Sequence, residues 1–100
     1  MSGPSAVAAA PGIGRGWRAI ADALGAELRA IDPEATVDAS FGSKGLLQLN
    51  VRSALPHHDA RELVRRYESR AVRTCETCGR AGSVRSGVVL LVACDRCAGR

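Results

Sequence analysis

At 100 residues and 10.4 kDa the chain has room for one hydrophobic core and not for two. Hydrophobic residues make up 46%, yet 17 of them are alanine and only 3% of the chain is aromatic, so the core needs a staple such as a metal or disulfides. No apolar run is long enough to span a bilayer, and the formal charge of +4 is carried almost wholly by arginine.

Residues 1–16, MSGPSAVAAAPGIGRG, are small and Ala-rich but lack the basic and apolar regions of a secretory signal. Gly, Ser, Pro and Ala bury too little surface to offset ordering entropy, so a flexible tail is expected over 1–16. The single domain then occupies 17–100. Gly12-Ile13-Gly14-Arg15-Gly16 faintly resembles a phosphate-binding loop, but no strand is predicted before it and the lysine of such loops is missing. Without an export signal the expected compartment is the cytoplasm, where thiols stay reduced.

From Trp17 the apolar residues Ile20, Ala21, Leu24, Leu28 and Ile31 recur at spacings of three and four, which predicts a core-facing helix. Gly25 weakens it by about 1 kcal/mol relative to Ala. Asp32-Pro33 ends it, because the residue before proline is pushed out of the α region. Val37, Ala39 and Phe41 then alternate with Asp38 and Ser40. After the turn 42–45, Leu47, Leu49 and Val51 alternate with Gln48, Asn50 and Arg52. The pattern predicts a β-hairpin with one buried and one wet face. Pro56 leads into a second helix, with Asp59 as its expected cap and Glu62 completing a capping box. Ala60, Leu63, Val64, Tyr67 and Ala71 form its apolar face. Arg66, Arg70 and Arg73 run down one flank toward the cysteines, and Arg61 and Arg65 lie on the far side. A solvated helix face accounts for such charges as readily as a binding surface does.

Cys75-Glu76-Thr77-Cys78-Gly79 is followed by Cys94-Asp95-Arg96-Cys97, with fifteen residues between Cys78 and Cys94. This spacing is a zinc signature: two residues between thiolates allow a tight knuckle that aims both sulfurs at one ion. Gly79 suits a turn that needs positive φ. The insert holds a Gly82-Ser83 turn and the apolar run Val88 to Val92, which predicts a short hairpin carrying the second pair back to the first. Two disulfides, a redox pair and an iron–sulfur cluster are rivals. A reducing compartment disfavours the first, the absence of a βαβ context the second, and the even pairing the third. One Zn²⁺ per chain on Cys75, Cys78, Cys94 and Cys97 is expected. With sulfur at all four tetrahedral positions no site is left for a catalytic water, so the ion is structural.

The segments Thr74–Gly79 and Ala93–Ala98 resemble the knuckles of zinc ribbons and treble clefs, and the finger is similar to the C-terminal finger of the DksA/TraR transcription-factor family. The resemblance covers about a quarter of the chain and implies the four ligands alone. That family's long coiled coil with an acidic tip has no counterpart here. The order helix, hairpin, helix, finger also resembles small bacterial and phage proteins that pair a Phe-Gly hairpin, here Phe41-Gly42, with such a finger.

The expected fold is therefore α+β: helix, β-hairpin, helix, then a C-terminal four-cysteine zinc ribbon over 74–98. No motif places a nucleophile beside a base, and His57-His58 reads as a solvated pair, so a non-enzymatic protein is expected with no small-molecule substrate. Two functions remain. In one, Arg66, Arg70, Arg73, Arg80 and Arg85 around the finger bind nucleic acid, or a protein of a nucleic-acid-handling complex, in a regulatory role. In the other the chain is a protein-interaction adaptor of a transcription, phage or toxin–antitoxin complex.

Overall fold

The computed structural model describes residues 7–42, 44–85 and 91–98. It is an α+β fold in which two helices cover one face of a three-stranded sheet, with a small hairpin and four cysteines at the C-terminal end.

The chain opens with strand β1 (Val7–Ala9), which pairs parallel to β2 (Thr36–Phe41); β2 pairs antiparallel to β3 (Leu47–Arg52). The expected hairpin is thus present and gains a third strand. Alternation in the sequence becomes alternation in burial: Val37, Ala39, Leu47 and Leu49 are buried, whereas Asp38, Gln48 and Asn50 face solvent. Helix α1 (Arg15–Ile31) crosses the inner face, burying Trp17, Ile20, Leu24 and Leu28. It stops at Asp32 as the Asp-Pro step predicts. One Asp32 carboxylate oxygen accepts the Glu34 N–H at 3.0 Å and the other accepts the Ala54 N–H at 2.7 Å, tying the helix exit to the loop after β3.

Two expectations need correction. The tail expected over 1–16 is ordered from Val7: it supplies β1, continues the pairing through the Ala10 N–H to the Ala39 carbonyl at 2.8 Å, and buries Ile13. Small residues are enough because the stabilisation comes from ladder hydrogen bonds and close backbone approach, not from large side chains. Gly25, expected only to weaken α1, makes room for β1, since a Cβ there would lie 2.7 Å from Val7 Cγ2. The second correction concerns α2 (His57–Ala71). It starts two residues before Asp59, with Pro56 at the cap and no side-chain capping bond, so the capping box does not form. Pro56 has φ −53°, and its carbonyl accepts the Ala60 N–H at 3.0 Å, which starts the helix unaided.

Helix α2 packs Leu63, Tyr67 and Ala71 against α1 and the sheet. The Tyr67 hydroxyl donates to the Glu27 carboxylate at 2.5 Å, joining the two helices, and the Arg70 guanidinium lies over the Tyr67 ring at 4.6 Å. The hairpin expected in the insert is made by β4 (Ser83–Arg85) and β5 (Leu91–Ala93); much of the apolar run at 88–92 lies outside the described residues. The chain then winds through one helical turn, α3 (Asp95–Ala98).

Candidate metal centre

Both cysteine pairs sit where the chain reverses. Cys75 follows α2, and its N–H donates to the Arg80 carbonyl at 2.7 Å while its carbonyl accepts the Gly79 N–H at 2.9 Å. Two bonds across so few residues force a tight loop, and Gly79 closes it with φ +86°, a left-handed conformation costly to any side-chain-bearing residue. Cys94 and Cys97 bracket the start of α3, where the Ala98 N–H donates to the Cys94 carbonyl at 2.9 Å. The Glu76 N–H, which donates to the Val92 carbonyl at 3.0 Å, holds the first loop to the strand before the second, and the Gly82 N–H closes the base of the first by donating to the Arg73 carbonyl at 2.9 Å.

As a result, the four sulfurs lie within 4.8 Å of one another, and Cys78 and Cys94 are 3.7 Å apart. Two thiolates on a tetrahedral zinc with bonds of about 2.3 Å stand about 3.8 Å apart, whereas a disulfide needs about 2 Å. All four cysteines are free thiols. The site therefore has the donor set and the spacing to hold a metal ion.

The surroundings favour the thiolate form at Cys75 and Cys94. Burial raises Cys75, but the backbone N–H groups of Cys78, Cys94 and Thr77 outweigh it and hold the thiol at about 6. The Cys97 N–H lowers Cys94 in the same way. Cys97 is pushed up to about 12, first by hydrogen bonding with the Cys75 and Cys94 sulfurs. A metal ion bound here would require all four thiols to give up their protons, and its charge would then hold the sulfurs together.

The structure also shows what the cluster rests on. Gly14 and Gly16, in the segment that faintly resembles a phosphate loop, form the seat of the first knuckle. A Cβ on Gly14 would overlap the Glu76 carbonyl oxygen. One on Gly16 would overlap the Cys75 carbonyl oxygen and lie 2.6 Å from the Gly79 nitrogen. The first turn of a helix leaves N–H groups without partners, and Gly14 offers no side chain to cap them. The knuckle does so instead: the Glu76 carbonyl accepts the Gly16 N–H at 2.9 Å. The positive end of the α1 dipole thus abuts a loop that becomes anionic when its thiolates form. Trp17, fully buried one residue on, donates its Nε1–H to the Ala71 and Thr74 carbonyls at 3.2 and 3.1 Å. Sequence reasoning missed Gly14, Gly16 and Trp17 as parts of the site. The available signal was a Gly-x-Gly-Trp sequence at the start of a helix, where glycine is otherwise a poor choice.

The arginines separate. Arg66, Arg70, Arg73 and Arg80 are exposed, and none makes a salt bridge among the described residues. Arg85 is committed: its Nη2 meets Asp95 at 2.8 Å and its Nε–H donates to the Ala93 carbonyl at 3.1 Å, fastening β4 to α3. His57 and His58 are exposed and lie outside the cysteine cluster. No helix among the described residues is long and apolar enough to cross a membrane.

The chain has no significant match among protein-family models, curated proteins or solved structures.

Proposed function

We propose that Cys75, Cys78, Cys94 and Cys97 hold one structural zinc ion in a ribbon-type finger of the kind seen in the DksA/TraR family, and that the loaded protein is a non-enzymatic, regulatory module of nucleic-acid handling, as in small bacterial and phage proteins. Four thiolates suit zinc, and they leave it no open position for a reacting water. The nucleic-acid reading is carried by one observation: Arg66 and Arg70 on one flank of α2, Arg73 in the turn after it and Arg80 beyond the first knuckle are all exposed, and none makes a salt bridge among the described residues. Arginine forks in such a row suit phosphates. Arg85 is left out of this surface, because Asp95 and Ala93 hold it.

The test is a titration of duplex DNA and of RNA at several salt concentrations, with the Arg66→Gln/Arg70→Gln/Arg73→Gln variant beside the parent. Glutamine keeps helix propensity, so stability changes little. Affinity is expected to fall for all sequences alike, and the salt slope on duplex DNA to shrink by about 0.9 for each phosphate no longer neutralised. Equal binding by parent and variant at low salt refutes the arginine surface and leaves the adaptor reading. Elemental analysis of the purified protein tests the metal separately: about one zinc per chain is expected. A metal-free protein with the mass of two disulfides refutes it.

A further inference from the structure

Helix α2 has a second basic flank. At about 100° per residue, Arg61 and Arg65 lie about 140° around the helix from Arg66 and Arg70, facing β3 instead of the finger. Between this flank and the edge of β3 runs a groove of about 320 Å³. Leu49, Val51, Ala60 and Val64 line its apolar part, and His57, Arg61 and Arg65 its rim. Neither arginine makes a salt bridge among the described residues.

One wall is an open sheet edge, since β3 is the last strand in the order β1-β2-β3. The Leu49 N–H donates to the Glu68 carboxylate at 2.8 Å and so points away from β2. In an antiparallel ladder the outward groups recur at every second residue, so the Val51 N–H and C=O also point into the groove. No partner among the described residues meets them. Glu68 closes one end, already serving as the acceptor that a neighbouring strand would bring.

The spacing of the rim side chains matches an extended chain. His57, Arg61 and Arg65 stand four residues apart, which on a helix is a rise of about 6 Å per step. Alternate side chains of a β-strand lie about 6.6–6.8 Å apart. We propose that this groove binds an extended acidic peptide segment of a partner protein, which adds to the β3 edge with alternate Asp or Glu side chains on His57, Arg61 and Arg65. Strand addition of this kind takes affinity from main-chain hydrogen bonds and specificity from alternate side chains. The unpaired edge distinguishes a peptide from nucleic acid, which cannot continue a sheet ladder. This surface is separate from the Arg66–Arg73 flank, and either can fail without the other.

The probe is a fluorescein-labelled peptide alternating Glu and Val, titrated into the purified metal-loaded protein. Controls are the Lys–Val counterpart, the Glu–Val peptide N-methylated at alternate residues, and a single-stranded oligonucleotide. Saturable binding of the acidic peptide is expected, weakened about tenfold or more by N-methylation or by Arg61→Gln/Arg65→Gln, with protection of the Val51 amide from exchange. The Arg66→Gln/Arg70→Gln/Arg73→Gln variant is expected to bind the peptide as the parent does. The proposal is overturned by equal binding of the N-methylated peptide, by no saturable binding up to millimolar peptide, or by an oligonucleotide whose tighter binding depends on Arg61 and Arg65.

Discussion

The part of the molecule built on the three-stranded sheet and the C-terminal part around the cysteines are held together by different forces. In the first, Trp17, Leu24, Leu28, Val37 and Leu49 form a continuous apolar core that folding removes from water. The described C-terminal residues beyond α2 bury little besides Cys75, Val92 and Ala93, and α3 buries nothing fully. Backbone hydrogen bonds hold that part around a cluster of four sulfurs, and its foundation is the bare backbone of Gly14 and Gly16. With the proposed zinc bound, a chelate would supplement a marginal core, docked on it without intervening side chains.

The largest expected effect breaks the chelate. Removal of the proposed zinc, or Cys78→Ser, should abolish amide-exchange protection in β4, β5 and the knuckles while β2, β3 and the middle of α1 keep theirs. Structural zinc binds finger peptides with about 10–16 kcal/mol at neutral pH, so its removal outweighs that of any single contact. Exchange mass spectrometry with and without a chelator measures the contrast. Equal protection in both parts would sink the idea that they are held by different forces.

Next in size is Gly16→Ala. Glycine to alanine within a helix ordinarily stabilises by up to about 1 kcal/mol. Here the sign should reverse, with a destabilisation of about 1–3 kcal/mol, because the added methyl meets the backbone of Cys75 and Gly79, which has no rotamer to yield. Thermal melting of the metal-loaded variant checks the sign, and metal affinity should fall with it.

Trp17→Phe probes the link between the two parts more gently. It keeps an aromatic ring in the core but leaves the Ala71 and Thr74 carbonyls without their indole donor. A cost of about 1–2 kcal/mol is expected for the unmet acceptors and the poorer packing together, read from denaturant unfolding.

The smallest effect concerns the core alone. Tyr67 is raised above its usual 10, first by its hydrogen bond to the Glu27 carboxylate, then by burial and by the Glu27 charge, with Arg70 and Arg66 opposing. A raised phenol favours folding while neutral. Its contribution is fully present below pH 10 and disappears as pH rises through the folded-state value. Tyr67 is the only tyrosine, so phenolate absorbance follows it directly. Its midpoint should drop toward 10 in Glu27→Gln, whose uncharged side chain neither accepts as strongly nor repels the phenolate.

Much of this was legible in the sequence. Alternation placed β2 and β3, three-and-four spacing placed α1 and α2, Asp32-Pro33 marked a helix end, and the cysteine spacing identified the candidate ligands. Such features depend on a residue and its near neighbours, and the local period of hydrophobicity or a turn's geometry is enough to determine them. The features decided by tertiary structure depend on distant backbone. Ala8 and Ala9 carry no strand signal and become β1 only because β2 offers an edge to pair with. Pro56 takes the cap position expected of Asp59, because its ring fixes φ where the approaching chain needs it. Arg66 and Arg85 look alike in the sequence, and only the fold leaves one exposed and ties the other to Asp95. Gly14 and Gly16 differ from loop glycines only through the carbonyls of Cys75 and Glu76, about sixty residues away, that close on them. The Gly-x-Gly-Trp sequence marks a place where side chains are missing but not what fills the space, so its meaning emerges only when another segment occupies it.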